Sequence, residues 1–393
     1  MAYTPNPTLL TTGTGTGNVL STRRPLDISN DIAYYNPNAN PFFLLAQQAD
    51  KKALTDPEFK CLENQMQPVF DAVNNVAGYA AGATSIVVDH GSYFKAQDLV
   101  LVTRTGEIFK VSSLSSNTLT VVRGYGSVAA AAINDNDELR RVGNCFEEGA
   151  AADSAKTVKV DAVTNYAQIF KTSLEVTGTI QKTTLYGGPQ LVKEQKDKGI
   201  EHAMKIESAF LFGQRAEYLT TSATNATTTH PLRLTGGILY YISSNAVSIG
   251  GALSEASFNN DFLRYVFTAD KNFRQKRTLF VSALVGGIMN QWANGKIQLV
   301  PSDKTFGIRV NRYLSFYGEV NVVLHPLLEG DVYSGYAIAA DLENVGYRHL
   351  RDTMLEEDIV QDGTDKRTDQ FLTEAGLMVR LEGVHGYAYG ITG

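Results

Sequence analysis

"GPQLVKEQKDKGIEHAMKIESAFLFGQ", residues 188 to 214, decides how the rest of the chain is read. Gly187 and Gly188 break the preceding segment, and Pro189 suits a first helical turn, where a missing N–H costs nothing. From there to Phe212 the only weak helix former is Gly199. At about 1.5 Å per residue such a rod runs roughly 35 Å. Ile200, Ala203, Met204, Phe210 and Leu211 recur at helical spacing, while Lys193, Glu194, Lys196, Asp197, Lys198, Glu201 and Lys205 occupy the remaining surface. Glu194 with Lys198, and Glu201 with Lys205, form i,i+4 pairs in the favourable order, each contributing a few tenths of a kcal/mol at most. The apolar stripe is narrow and fades too soon for a coiled-coil strand. A helix wet around most of its circumference is expected to lie across a surface such as one face of a sheet.

Composition limits what the rod belongs to. A chain of 393 residues is expected to divide into two or three domains, and a hydrophobic content of 43% describes a core-forming protein. A net charge of −6 argues against a dedicated nucleic-acid binder, which would carry a basic surplus. The basic run "KNFRQKR" (271 to 277) reads as a solvated face. The amino terminus has no basic region leading into an apolar one, so it does not read as a secretory signal, and "LFVSALVGGIM" (279 to 289) is too short to span a bilayer. Cys61 and Cys145 form no CxxC and read as free thiols of a reducing cytoplasm.

Residues 1 to 45 are rich in Thr, Asn, Pro and Gly and predict an extended arm, with "NPFFLLAQQA" (40 to 49) as its one sticky spot. Two β-rich stretches, "ENQMQPVFDAV" (63 to 73) and "KTVKVDAVTNYAQIFKTSLEV" (156 to 176), flank a block of different character. In that block "TSIVVD", "QDLVLVTR", "GEIFKVSSL", "NTLTVVRGYG" and "DELRRVG" are five short β-type runs separated by Gly, Asn, Asp and Ser turns. Leu119 and Val121 alternate with Thr118 and Thr120, as in a strand with one buried face. The block reads as a small all-β module inserted into a hairpin-like extension, either as plain structural decoration or as a carbohydrate-binding unit.

Beyond the rod, "TTSATNATTTH" (220 to 230) reads as a polar loop leading into an α/β region. "SFNNDFLRYVFTADKNF" (257 to 273) predicts a helix with Phe258, Phe262, Tyr265, Val266 and Phe273 on one face and Ser257 as its cap. "LFVSAL" reads as a buried strand passing into a helix near Trp292, and "GEVNVVLHP" (318 to 326) as a strand closed by Pro326. "TEAGLMVRLEGVHGYAYGIT" (373 to 392) alternates and predicts one long terminal strand, with Leu377, Val379 and Leu381 on one face.

No catalytic, cofactor-binding or metal-ligating residues emerge. His90, His202, His230, His325, His349 and His385 are scattered, without HExxH spacing, and His202 reads as a surface residue beside Glu201. "TGTGTGN" (11 to 17) follows no strand and lacks the lysine of a P-loop, so it reads as flexible arm. "LEEDIVQDGTD" (355 to 365) matches no calcium-loop spacing and reads as a solvated loop.

The order of the parts carries more than any motif: arm, protruding β extension, long wet helix, α/β domain, terminal strand. Together with "VTNYAQIFKTSLEVTGTIQKTTLYG" (163 to 187) leading into the rod, and the "GEIFKV" and "NTLTVVRGYG" module, this order resembles the major capsid proteins of tailed bacteriophages, the Hong Kong 97-type fold, in a subfamily with a β-module inserted in the extended loop. The resemblance implies an α+β fold with residues 1–45 as N-terminal arm, 46–76 and 144–186 as extended loop and start of the peripheral domain, and 77–143 as inserted all-β domain. It further implies 187–229 as spine helix and following loop, 230–345 as axial domain, and 346–393 as the return to the peripheral sheet. The implied partners are many copies of the chain in hexamers and pentamers, with portal, scaffold and decoration proteins and packaged double-stranded DNA nearby, and no membrane. The implied place is the virion shell, built in the host bacterial cytoplasm. No cofactor is implied, and no motif supports a lysine–asparagine crosslink or self-cleavage. No long helical scaffolding segment precedes the arm, so a separate scaffold protein is expected or none is needed. The alternatives are an encapsulin-like compartment shell and a glycan-binding tail or adhesion protein.

Overall fold

The long helix spans Gln190–Phe212, with Pro189 at the N-cap in extended backbone rather than inside the first turn. It lies across a four-stranded sheet whose spatial order is Lys51–Ala53, Val345–Glu356, Lys366–Val379 and Gln168–Thr177. Its buried residues are His202, Ile206, Glu207, Phe210 and Leu211, so two polar side chains sit in the stripe and His202 is not a surface residue. Ile200, Ala203 and Met204 are only half-buried. On the wet side Glu201 pairs with Lys205 at 2.9 Å, while Lys198 turns to Glu201 at 2.7 Å instead of to Glu194. Glu194 accepts a hydrogen bond from the Gln190 amide at 2.7 Å.

The computed structural model describes residues 40–64, 66–153, 155–185, 188–218, 230–269, 276–296, 310–359 and 363–393. Residues 1 to 39 of the expected arm, with "TGTGTGN", most of the 220 to 230 loop and residues 271 to 275 of the basic run, lie outside the described residues. The chain folds as two units, residues 1–61 with 163–393, and 62–162.

In the first unit the sticky end of the arm is a helix, Pro41–Ala49, with Phe42, Phe43 and Ala46 buried. Its rings pack on Phe280, Phe210 and Tyr347 at 5.3 to 5.9 Å in edge-on contacts, the favoured geometry for aromatic pairs. Gln168–Thr177 and Lys366–Val379 pair antiparallel over their full length, from Gln168 opposite Ala375 to Thr177 opposite Lys366. Residues 372 to 379 are buried on both faces, so the expected one-sided alternation gives way to a central strand.

The predicted terminal strand is broken. After Val379 the chain turns through Leu381, whose φ is 52°, and a short 3-10 turn, Glu382–Val384. It then enters a second, six-stranded sheet as Gly386–Thr392. That sheet runs in the order Ala246–Ala252, Gly386–Thr392, Ala337–Ala340, Lys276–Val281, Gly318–Leu324, Val310–Ser315. Residues 386 to 392 therefore leave the four-stranded sheet to which the expected 346–393 segment assigned them.

Helix Ala283–Lys296 follows Lys276–Val281 as expected. The predicted 257–273 helix is capped by Ser254, whose hydroxyl accepts from Ser257 N–H, and it passes through a π-helical turn at Phe258–Leu263. That extra residue per turn shifts the face: Phe258, Phe262 and Val266 are buried and Tyr265 points outward. Arg277, the described end of the basic run next to Lys276, is 1% exposed rather than solvated; its guanidinium lies 5.2 Å from the Phe267 ring and 3.8 Å from Asp341.

The second unit carries its own six-stranded antiparallel sheet, in the order Phe70–Ala72, Glu138–Asn144, Asp98–Val102, Ile108–Ser115, Thr118–Val122, Ser85–Val87. All five predicted β runs are strands. The sheet also takes in Phe70–Ala72, paired with Glu138 to Arg140, so its hydrogen bonding reaches outside 77–143. Its core includes Val73, Ile86, Phe94, Val100, Phe109, Leu119 and Leu139. Glu58–Glu63 and Asp161–Tyr166 form a separate two-stranded sheet where the chain leaves the first unit and returns to it.

Candidate functional site

Because the sequence offers no catalytic constellation, the buried polar groups are where chemistry would have to sit. Glu207 is fully buried. Its carboxylate accepts the backbone N–H groups of Phe42 at 2.9 Å and Phe43 at 2.5 Å, and the Nε2–H of His325 at 2.6 Å. His325 Nδ1 accepts from Leu327 N–H at 3.1 Å, which places the ring proton on Nε2. Glu207 thus caps the Pro41–Ala49 helix from a different element, serving two of the donors that a helix start leaves unpaired. Its spacing from Ala203, Phe210 and Leu211 was the signal that it belongs to the buried face.

His202 bridges two strands. Its Nε2 lies 2.7 Å from Thr373 Oγ1 and its Nδ1 3.1 Å from Thr172 Oγ1. Thr373 donates its own proton to Thr353 at 2.8 Å, so it accepts from His202 Nε2–H. Burial, and secondarily Lys205, lowers the His202 pKa, keeping the ring neutral and able to accept from Thr172.

A third cluster pins the two crossings between the sheets. His385 Nδ1 accepts from Asp341 N–H, and its Nε2–H donates to Arg380 carbonyl, both at 3.1 Å. Full burial pushes its pKa down to about 4. Arg380 N–H donates to Asn344 carbonyl at 2.9 Å, and the Arg348 and Arg380 guanidinium groups converge on Asp50 at 2.5 and 2.7 Å. Burial is the largest influence on Asp50 and raises its pKa, but Arg348, Lys52 and Arg380 together outweigh it and hold the carboxyl below its usual range.

In the second unit Glu107, fully buried, takes a bidentate contact from Arg123 at 2.7 Å and N–H groups from Gly124 and Ala131 at 3.0 and 3.1 Å. The carboxylates and imidazoles of these clusters are taken up by internal partners, while Arg380 Nε has no hydrogen-bond partner among the described residues. Among the described residues no group of His, Cys, Asp and Glu could hold a metal ion. Neither Cys61 nor Cys145 forms a disulfide. Two shallow grooves lie among the described residues: one of about 560 Å³ beside Ile169, Lys171 and Phe212, and one of about 350 Å³ in the second unit beside Lys95, Asp98, Arg141 and Lys156. What the molecule offers chemically is surface, held in shape by buried polar clamps.

A family model described as SU10 major capsid protein matches residues 10–392. A curated major capsid protein of Pseudomonas phage PaMx41 is 22% identical over 333 residues, which cover 82% of this chain and 75% of that protein. Among solved structures, the capsid of a native GTA particle computed with C5 symmetry superposes with a TM-score of 0.50 at 8% identity, covering 97% of this chain and 99% of that one. A chain of Mycobacterium phage Bobi gives 0.50 at 11% identity, covering 95% and 97%. At such identities the structural likeness carries the fold, the Hong Kong 97-type α+β capsid architecture.

Proposed function

The chain belongs to the SU10 major capsid protein family, and from that premise we propose that its copies gather into hexamers and pentamers that close an icosahedral head shell around packaged double-stranded DNA. It is a phage major capsid protein of the virion shell, a structural protein and not an enzyme. The observation that carries the reading is the extent of the family match, which runs from residue 10 to 392.

In this reading the long helix and the four-stranded sheet form the peripheral domain, and the six-stranded sheet forms the axial domain that meets its copies at capsomer centres. The paired strands Glu58–Glu63 and Asp161–Tyr166 are the root of the extended loop, with residues 62–162 as its inserted module. A portal, a scaffold and decoration proteins are the further partners, and assembly takes place in the cytoplasm of a bacterial host. The net charge of −6 fits a wall that does not hold DNA tightly, since a basic lining would bind phosphate and hinder filling and release.

Negative-stain imaging of the purified chain, alone and with its scaffold, tests the reading. Closed shells, with rings of five and six on partial dissociation, are expected. A stable monomer under every condition overturns it, and shells that enclose protein cargo but never DNA move it to a compartment.

A further inference from the structure

The tyrosines inside the fold have hydroxyl partners: Tyr241 donates to Thr164 carbonyl at 2.8 Å, Tyr313 exchanges hydrogen bonds with Asn259, and Tyr347 donates to Asp352 at 3.2 Å. Four others behave differently. The Phe212 ring, at the end of the long helix, lies 4.5 Å from Tyr333, and Tyr333 lies 5.1 Å from Tyr336. Tyr336 stacks on Tyr387 at 5.9 Å and meets Tyr389 at 6.0 Å. None of these four hydroxyls has a hydrogen-bond partner among the described residues. Val332, beside them, is 65% exposed.

This aromatic row continues into the larger groove, because Phe212 lines both, and the groove adds Ile169, half exposed on an edge strand. The strip is charged unevenly. Its groove end carries Lys171, exposed and without an ion pair among the described residues. Its tyrosine end carries Glu329 and Asp331, equally exposed and equally unpaired. Rings with free polar tips and an apolar centre flanked by charge are the composition of a protein interface rather than of an ordinary wet face. Opposite charges at the two ends make the strip complementary to itself when two copies lie antiparallel.

We propose that this strip is a contact between two copies of the chain, in which Lys171 of each faces Glu329 and Asp331 of the other. The proposal rests on the capsid reading, which supplies the second copy. One exposed ion pair is weak, but a closed shell repeats it at every equivalent contact.

The test uses the full chain with its scaffold: wild type, Lys171→Glu, the double Glu329→Lys with Asp331→Lys, and all three changes together. Near-ultraviolet circular dichroism of free subunits checks folding, and sedimentation reads the fraction in shells. The lysine variant and the acidic double variant should each lose shells severalfold, and the triple variant should recover them. Hydroxyl-radical labelling of Tyr333 and Tyr389 should fall severalfold on going from free subunits to wild-type shells. Wild-type shells with unchanged tyrosine labelling, protection that needs an added protein, or a triple variant no better than its parents overturns the contact and leaves the capsid reading standing. Wild type that forms no shell at all overturns both.

Discussion

Glu207 and His385 show what a single buried polar residue does in this fold. Replacing Glu207 with alanine strands the Phe42 and Phe43 N–H groups and the His325 ring in a dry site. Each buried donor left without its acceptor costs about 1–3 kcal/mol. Glu207→Gln keeps one acceptor oxygen and should cost less. Urea midpoints of free subunits check both, and an alanine variant as stable as wild type would refute the capping role. His385 gives a pH dependence with a definite sign. Burial holds its folded pKa at about 4 against an ordinary 6.5, so the unfolded chain binds the proton first. Its contribution is complete above the unfolded value and is lost as pH falls toward the folded one, by about 3 kcal/mol in all. The stability difference between wild type and His385→Gln should therefore shrink between pH 6.5 and 4. A difference that stays flat across that window would show the imidazole is not held neutral.

At the scale of elements, legibility followed punctuation. The β runs of the second unit were readable because glycine and asparagine separate them and because Leu119 and Val121 alternate with threonines. The long helix was readable from its two ends. What escaped was set by contacts distant in sequence: Lys51–Ala53 is a strand only because it pairs in parallel with Tyr347 to His349, and Pro41–Ala49 is a helix because Glu207 caps it and Phe280 packs on it. His202 and Arg277 carry surface chemistry, and contacts with Thr172 and Thr373, and with Phe267 and Asp341, hold them inside. Of the candidate site, the sequence showed the absence of catalytic motifs but not the tyrosine strip, whose members come from four separate segments, 169–171, 212, 329–336 and 387–389.

Two glycines test the packing of these elements. At Gly199 a Cβ would meet the Phe371 ring at 3.4 Å, ordinary contact, so Gly199→Ala should stabilise by roughly the 0.5–1 kcal/mol of helix propensity. At Gly376 a Cβ would come within 2.6 Å of Tyr166 carbonyl and 2.7 Å of the Phe59 ring, so Gly376→Ala should destabilise strongly. Thermal melts of the two variants should shift in opposite directions. The second unit has its own sheet and its own core, so a fragment of residues 62–162 should give a cooperative melt alone, and a fragment with none would make it dependent on the rest of the chain.

For the whole molecule the question is what the second unit contributes to a shell. The chain leaves along Glu58–Glu63 and returns along Asp161–Tyr166, which are hydrogen-bonded neighbours. A short turn can therefore join the two strands without straining either. The cores built on the Pro41–Ala49 helix and the six-stranded sheet draw no residue from 62–162, so the shortened chain should keep its fold and its near-ultraviolet circular dichroism. Assembly is a separate matter. Shell contacts are individually weak and act together, so losing one class of contact at every subunit can abolish closure while leaving each subunit intact. We expect the shortened chain to give folded subunits and open or partial assemblies, but no closed shells by negative stain. Closed shells of wild-type diameter would instead show that residues 62–162 are dispensable for closure.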